Sequence, residues 1–281
     1  STIVPCQRLC LECAVEAMHE AGYTRKKIAG KKMVTIVCDI GLDWDPFHTY
    51  GVDGDVWART NNTLSVNRLC HTLGMTGPSI QLDTACSASM VGSALAHQHL
   101  LNFRSEARTP MDLGMVTGFQ NILSHFTYIG LSAAGMLGRT GRCLFADNTG
   151  NGFSRGEGCG NMIAKLSDDP EITQDRLAAM VGSYVNQDGR SASLTAPNGP
   201  SQQAVMRGSH KQAGITGDML VSQENHGTGT ALGDPIECGT VQAVLRGRKW
   251  PVCVTSGKSH MGHLEPAAGL IGIFKWPMWD F

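Results

Sequence analysis

The sequence predicts an α/β fold built on a largely parallel sheet, and three features support this prediction. Short, almost entirely apolar segments alternate along the chain with longer segments whose apolar residues recur at helical spacing. The apolar segments are rich in β-branched residues, which is typical of strands buried on both faces of a sheet. The 34 glycines among 281 residues fall in short polar clusters, and these predict tight turns between the elements.

The first part of the chain opens with an amphipathic pattern, in which Leu9, Cys10, Cys13 and Ala14 follow helical spacing. Gly74 marks the end of the second helical pattern, since glycine is common directly after a helix. In chain order we predict a helix at residues 5–21, a strand at 33–41, a loop at 43–60, a helix at 63–73, a strand at 79–83, a helix at 87–101, and strands at 111–118 and 161–166.

The second part of the chain continues the alternation of strands and helices. Asp234 followed by Pro235 favours a helix start, because proline is well tolerated in the first helical turn. In chain order we predict a strand at residues 178–187, a helix at 200–213, a strand at 219–225, a helix at 235–245, a strand at 252–256 and a final helix from about residue 265.

Composition excludes several classes of protein. The 23 Lys and Arg residues against 24 Asp and Glu residues leave a net charge of −1 without long charged runs, which argues against a nucleic-acid partner and a basic membrane patch. Charged residues make up 17% and hydrophobic ones 42%, a balance typical of a folded chain. No apolar stretch reaches the roughly 18–20 residues of a membrane span. Without a secretory leader, the cysteines are expected to be reduced and the protein cytoplasmic.

The first chemically informative turn joins the predicted strand at 79–83 to the helix at 87–101. Cys86 stands just before that helix, where the helix dipole and free N–H groups favour a thiolate. The small residues around it leave room for a substrate to reach the sulfur. A buried core cysteine is the simpler alternative, but this placement between strand and helix favours a nucleophile.

The second turn contains His226, followed by glycines alternating with Thr228 and Thr230. Glycines allow the backbone to approach a ligand closely, and the hydroxyl groups offer hydrogen bonds to an extended polar substrate. The third turn gathers Lys258, His263 and Glu265 after a strand. It does not fit a phosphate-binding loop, because that motif requires a glycine where this chain has Val252.

Cys10 and Cys13 form a C-x-x-C pair, with Cys6 one turn earlier on the same predicted helix face. No second pair of cysteines or histidines stands at the spacing of a zinc site. We therefore predict no metal site in this chain.

Three motifs taken together resemble the active-site motifs of β-ketoacyl synthases, specifically the ketosynthase domains of modular type I polyketide synthases. They are DTACSAS at residues 83–89, NHGTGTALGDPIE at 225–237 and GKSHMGHLEPAAG at 257–269. The resemblance implies a thiolase-like α/β fold, with α/β/α/β/α layers from two related halves. We expect the first half at about residues 1–166 and the start of the second at about 167–281.

The resemblance also implies roles for the three main residues. Cys86 would take an acyl group from a phosphopantetheine thioester. His226 and His263 would bind the carbonyl of a malonyl-type extender and stabilise the enolate that decarboxylation leaves. This carbanion would attack the acyl group on Cys86 and give a β-ketoacyl product, in polyketide or fatty acid biosynthesis.

The remaining implied roles are supporting ones. Lys258 would assist the histidines, with Glu265 as its partner, and Thr228 and Thr230 would contact the pantetheine arm. The backbone N–H of Cys86 would supply half of an oxyanion hole. No cofactor is expected to be bound by the domain itself, since acyl carrier protein delivers the substrates on phosphopantetheine. The complete domain is expected to form a homodimer.

Other functions compete with this interpretation. A Cys–His thiol hydrolase leaves the second histidine turn unexplained, and a non-catalytic ketosynthase-like scaffold would have no need of Cys86, His226 and His263. A thiolase usually has a second active-site cysteine. The family's first strand and its terminal Gly-rich turn do not occur here, so we interpret the chain as a partial domain lacking both ends and expect it to be inactive alone.

Overall fold

The computed structural model describes residues 3–41, 43–44, 61–102, 111–169, 176–193 and 195–277. The chain divides into two compact units. The first contains Ser1–Gly130, Gly156–Leu177 and Leu264–Phe274, and the second contains Leu131–Arg155, Ala178–His263 and Lys275–Phe281. Most of the predicted loop at 43–60 lies outside the described residues.

The first unit is built on a four-stranded sheet with the order β2-β1-β3-β4. The strands are β1 (Met33–Cys38), β2 (Ser79–Leu82), β3 (Leu113–Gln120) and β4 (Gly158–Ala164). Strand β1 pairs in parallel with both β2 and β3, whereas β4 runs antiparallel to β3. Every residue of β1 and β3 is buried, as the apolar composition of these segments predicts.

Helices cover both faces of this sheet. The described helices are α1 (Pro5–Glu20), α2 (Arg25–Ile28), α3 (Thr63–Leu73), α4 (Ala88–Asn102), α5 (Phe126–Ala133), α6 (Gly199–Ala213), α7 (Gly233–Val244), α8 (Lys258–Met261) and α9 (Ala268–Lys275). Alternate residues of β1 point to opposite faces, so Met33 and Val37 pack with α1 and α3, while Val34, Ile36 and Cys38 pack with α4 and α9.

The second unit contains a parallel pair of short strands, β5 (Ser222–Glu224) and β6 (Cys253–Thr255). Helices α6 and α7 pack against each other in this unit. The short helix α8 follows β6 within three residues, so a polar turn lies directly after the strand.

The predicted strand at residues 178–187 is wrong. No part of this segment forms a strand in the described structure, and Val181 and Tyr184 are exposed. Hydrogen bonds to α6 hold the segment instead: Ser183 donates its backbone N–H to the Gln212 side chain at 2.6 Å, and the Asn186 amide donates to the Ser201 carbonyl at 2.8 Å. A few apolar residues do not make a strand without a paired neighbour.

The other predicted elements are confirmed, with shifts at their ends. Helix α7 begins at Gly233 rather than at Pro235, and helices α2, α5 and α8 were not predicted. The final helix begins as a single 3₁₀ turn at Glu265–Ala267 before α9. Of the helices in the described part of the chain, none combines the length and the apolar character needed to cross a bilayer.

Candidate active site

The turn that carries Cys86 belongs to the first unit and connects β2 to α4. Ala85 has a φ of 51°, a left-handed conformation that is costly for a residue with a Cβ atom. Two local hydrogen bonds hold it: the Ala85 N–H donates to the Asp83 carboxylate at 2.8 Å, and the Ser87 hydroxyl donates to the Thr84 carbonyl at 2.8 Å. This turn leaves Cys86 half-buried, two residues before α4.

The turn that carries His226 follows β5 in the second unit, and a carboxylate from α7 holds it. The two oxygens of Glu237 accept the backbone N–H groups of His226, at 2.5 Å, and of Gly227, at 2.8 Å. The Ser256 hydroxyl also donates to the His226 carbonyl at 3.1 Å. Three hydrogen bonds therefore fix the backbone at this histidine.

Gly227 and Gly229 allow the chain to fold closely at this turn. Gly227 has a φ of 49°, and a Cβ atom there would lie 2.5 Å from the Ser256 Cβ. Gly229 has a φ of 78°, and a Cβ atom there would lie 2.6 Å from the Leu144 backbone nitrogen. Asp234 completes the turn by accepting the N–H of Gly229 at 3.1 Å and that of Ala146 at 3.0 Å. Only glycine fits at either position.

A second carboxylate, Glu224, organises the turn after β6. It accepts the Thr255 hydroxyl at 2.7 Å, the Lys275 ammonium at 2.8 Å and the backbone N–H of Gly257. The Glu224 and Lys275 side chains keep only 14% and 10% of their surface exposed, so water screens this ion pair weakly. The pair anchors the start of the turn that leads to Lys258 and His263.

The two histidines come together within the second unit. Their ring centroids are 5.3 Å apart and the rings are nearly perpendicular, at 87°. The His263 N–H donates to the Ser154 carbonyl at 2.7 Å, and its ring meets Phe153 edge-on with centroids 4.9 Å apart. Backbone and ring contacts therefore hold His263 in a single position.

Both imidazoles are held neutral at neutral pH. Burial is the main cause that lowers the pKa of His263 to about 2, and His226, Lys258 and Arg155 add to it. The protein atoms packed around the His226 ring exclude water, and this desolvation, together with the positive charge of Lys258, also lowers the pKa of His226. His226 keeps an exposed part of its surface, where water weakens both effects. Neutral imidazoles can each donate one hydrogen bond to a substrate oxygen.

The remaining predicted site residues are divided between the units. Thr228 is buried and its hydroxyl lies 3.2 Å from that of Thr230, in the second unit. Lys258 begins α8 in the same unit, whereas Glu265 is buried in the first unit. Cys86 also belongs to the first unit. The pairing of Lys258 with Glu265 stays a prediction.

The sequence analysis did not identify the carboxylates that hold the two histidine turns. Glu237 stands at the end of the second motif, and Glu224 ends a strand directly before it. An acidic residue at the end of a strand, or near the start of the helix that follows it, was the available signal, because a carboxylate shielded from water requires hydrogen-bond partners. The partners themselves lie 10 to 51 positions away in the sequence.

Comparison with known proteins adds to this geometry. The family described as Beta-ketoacyl synthase, N-terminal domain, matches residues 1–169, and the family described as Beta-ketoacyl synthase, C-terminal domain, matches residues 177–278. A phenolphthiocerol/phthiocerol polyketide synthase component of Mycobacterium tuberculosis (strain CDC 1551 / Oshkosh) is 38% identical over 96% of this chain. The chain spans 15% of the length of that relative.

Solved structures are similar as well. The ketosynthase from module 6 of the bacillaene synthase from Bacillus subtilis 168 has a TM-score of 0.88 and 32% identity, covering 98% of this chain and 48% of that structure. The oxazolomycin ketosynthase domain OzmH KS7 of Streptomyces albus JA3453 has a TM-score of 0.87 and 26% identity, with the same coverage. With both halves of the family matched and the fold shared, this chain belongs to the β-ketoacyl synthase family and has its thiolase fold.

Proposed function

We propose that this chain is the condensing part of a polyketide synthase ketosynthase, which joins a Cys86-bound acyl group to a malonyl-type extender. One observation carries the proposal: two neutral imidazoles, 5.3 Å apart, lie on adjacent turns beside Lys258. Neutral donors suit an oxygen on which negative charge develops during the reaction, because they stabilise it without first releasing a proton.

In the first step, the Cys86 thiolate attacks the carbonyl carbon of an acyl thioester carried on phosphopantetheine. The new C–S bond forms as the old one breaks, and pantetheine leaves as a thiolate, which takes up the proton that Cys86 released when it ionised. The backbone N–H of Cys86, near the start of α4, supplies half of the oxyanion hole. The fixed turn at Ala85 supports this step, since it limits the positions that the sulfur can take.

In the second step, the extender loses its carboxylate as carbon dioxide, and the electron pair remains as an enolate. His226 and His263 donate hydrogen bonds to the enolate oxygen. The carbanion then attacks the acyl carbon on Cys86, a C–C bond forms, and the C–S bond to Cys86 breaks. The enzyme recovers its thiolate, and the product is a β-ketoacyl thioester.

The supporting roles are part of the same proposal. Lys258 favours the neutral histidines by repelling a proton from each of them, which matches its effect on both pKa values. Glu265 is its proposed partner, and Thr228 and Thr230 contact the pantetheine arm. Acyl carrier protein delivers both substrates. The two halves lie at about residues 1–166 and 167–281, and the complete domain is a homodimer.

A thiol hydrolase is the less supported alternative. Such an enzyme needs one imidazole that accepts a proton from its cysteine at neutral pH. A strongly lowered pKa makes His263 a poor base, and a hydrolase has no use for the second histidine. A non-catalytic scaffold likewise has no need of two positioned imidazoles.

Intact-mass spectrometry after incubation with an acyl-pantetheine thioester tests the first step. Acyl loading is only the first of the two steps, so even a chain that does not complete the condensation alone should gain the mass of one acyl group, and the Cys86→Ala variant should gain none. Cys253→Ala is the matched control, because Cys253 is an exposed cysteine outside the proposed machinery, and it should load normally. Loading that persists without Cys86, or no loading by a chain whose circular dichroism is that of a folded protein, would contradict the proposal.

A further inference from the structure

A closed group of three hydrogen bonds in the second unit joins the ends of β5 and β6 to Lys275, the last residue of α9. The Lys275 ammonium donates to the Glu224 carboxylate and to the Thr255 hydroxyl, both at 2.8 Å. The Thr255 hydroxyl in turn donates to the same carboxylate oxygen at 2.7 Å. We call Glu224, Thr255 and Lys275 the ion-pair cluster. Each member orients the other two.

The two charges of the ion-pair cluster depend on each other. Only 10% of the Lys275 side chain and 14% of the Glu224 side chain are exposed, so water stabilises neither charge well. The Trp276 ring also lies beside the ammonium, with its centroid 5.5 Å from the Lys275 Nζ. Removal of either charged partner would leave the other shielded from water and unpaired, which is costly.

The second oxygen of Glu224 connects the ion-pair cluster to Lys258. It accepts the backbone N–H of Gly257, the residue directly before Lys258. The Gly257 carbonyl in turn accepts the N–H groups of His260, at 3.0 Å, and of Met261, at 3.1 Å. Helix α8, which Lys258 begins, therefore starts from a residue that the Glu224 carboxylate holds.

Ser256 connects the ion-pair cluster to His226. Its neighbours on both sides, Thr255 and Gly257, donate hydrogen bonds to Glu224, so the Ser256 backbone is fixed at two points. The Ser256 hydroxyl donates to the His226 carbonyl at 3.1 Å. A displacement of the Glu224 carboxylate would therefore move the turns of both His226 and Lys258.

We infer that Glu224 and Lys275 are positioning residues for the condensation, which set the places of the His226 imidazole and the Lys258 ammonium through the backbone at residues 255–257. The inference rests on the proposed function. Lys275 holds the carboxylate, and the carboxylate holds the three residues. Because catalysis depends on placement of the reacting groups to within about 1 Å, loss of the pair should slow the chemistry more than it weakens substrate binding.

Separate replacement of the two residues in the complete β-ketoacyl synthase domain tests the inference. Lys275→Met keeps most of the side-chain length and removes the charge, and Glu224→Gln keeps the shape but replaces one acceptor oxygen by an NH₂ donor. For each variant we expect the kcat for decarboxylation of a malonyl-pantetheine thioester to fall roughly 10- to 100-fold, with KM changed less than about threefold. Mass spectrometry should still detect acyl loading of Cys86, which belongs to the first unit.

The double variant shows whether the two residues act as one unit. When Lys275→Met is combined with Glu224→Gln, no unpaired charge remains. The amide at residue 224 can accept the Gly257 N–H and donate to the Thr255 hydroxyl. We therefore expect the double variant to decarboxylate faster than Lys275→Met alone, whereas two independent residues would multiply their separate losses.

Glu12→Gln is the matched control, because Glu12 forms an ion pair of the same length, 2.8 Å, with Arg8 on exposed surface, and it should change neither activity. The inference is overturned if either single variant keeps wild-type decarboxylation or if the double variant shows the product of the single losses. It is also overturned if every variant loses loading and decarboxylation together, as an unfolded chain would. A wild-type domain without decarboxylation would overturn the proposed function, and the inference with it.

Discussion

The side chain of His263 is closely packed, and its imidazole ring is neutral. Only 4% of this residue is exposed, its ring lies against Phe153, and His226 is its perpendicular neighbour. Burial removes the water that would stabilise an imidazolium ion, and Lys258 and Arg155 repel the added proton. The same surroundings that hold the ring in place therefore keep it an uncharged donor.

This neutral state makes the folded chain sensitive to acid. The pKa of His263 is about 2 in the folded state against 6.5 for the ordinary side chain, so below about pH 6.5 the unfolded state binds the additional proton. The stabilisation that comes from keeping His263 neutral is complete above about pH 6.5 and is lost as the pH falls below that value. Between pH 7 and pH 5 we expect the free energy of unfolding to drop by about 2 kcal/mol through this group.

Urea unfolding at several pH values measures this effect. The variant His263→Gln should lose that part of the pH dependence, since glutamine donates a hydrogen bond but does not titrate. The exposed His260→Gln serves as the control and should keep the wild-type dependence. Equal slopes for His263→Gln and the wild-type chain would show that His263 is not held neutral.

At the scale of elements, two strand-to-turn connections carry the histidines, and a carboxylate from elsewhere holds each turn. Glu237 on α7 accepts two consecutive N–H groups at His226 and Gly227. Glu224, at the end of β5, accepts groups from β6 and the turn after it, and pairs with Lys275. The positions of the imidazoles thus depend on elements that carry no reacting group.

Replacing Glu237 by glutamine tests that dependence. The amide retains one acceptor oxygen, but its NH₂ group would face an N–H group that it cannot accept. We expect a loss of about 1–3 kcal/mol in the free energy of unfolding. Malonyl-thioester decarboxylation, measured in the complete β-ketoacyl synthase domain that carries this change, should fall by roughly 10- to 100-fold, because the imidazole at residue 226 is displaced.

Measuring acyl loading and decarboxylation on the same variant distinguishes a role of Glu237 in positioning His226 from a general loss of folded structure. Acyl loading of Cys86 should remain in Glu237→Gln, since Cys86 belongs to the first unit and Glu237 to the second. The exposed Glu20→Gln on α1 is the control for the chemical change and should alter neither reaction. A variant that loses loading and decarboxylation together would show a structural role only.

The strands predicted from apolar segments are confirmed where the segment is buried within a sheet, and the prediction is wrong where the segment is exposed. Strand β1 was predicted from an apolar run, and every one of its residues is buried between two layers of helices. Residues 178–187 also contain several apolar side chains, yet in the described structure they pair with no strand. Composition alone does not reveal whether a neighbouring strand is present, nor that β4 runs antiparallel to β3.

At the scale of the whole molecule, large apolar side chains of the second unit face water. They include Val181 at 61%, Val221 at 82% and Trp250 at 69% exposure. Val181 belongs to the extended segment that forms no strand, and Val221 directly precedes β5. Exposed apolar surface of this kind favours association between chains.

The double variant Val181→Thr and Val221→Thr should therefore reduce both self-association and the binding of a dye that reports apolar surface. Threonine keeps the branched shape, so the free energy of unfolding should change by less than about 0.5 kcal/mol per site. Val15→Thr on α1, 49% exposed in the first unit, is the matched control. If Val15→Thr lowered light scattering and dye fluorescence as much as the double variant does, the assignment of the associating surface to the second unit would be contradicted.

The sequence by itself determined the α/β class, most of its elements, the family and the choice of Cys86, His226 and His263, because that information lies in short contiguous motifs. Only the tertiary structure brought Glu237 to the His226 turn and Lys275 to Glu224. The members of these pairs stand far apart along the chain. Their meeting depends on the packing of whole elements, which no local pattern records.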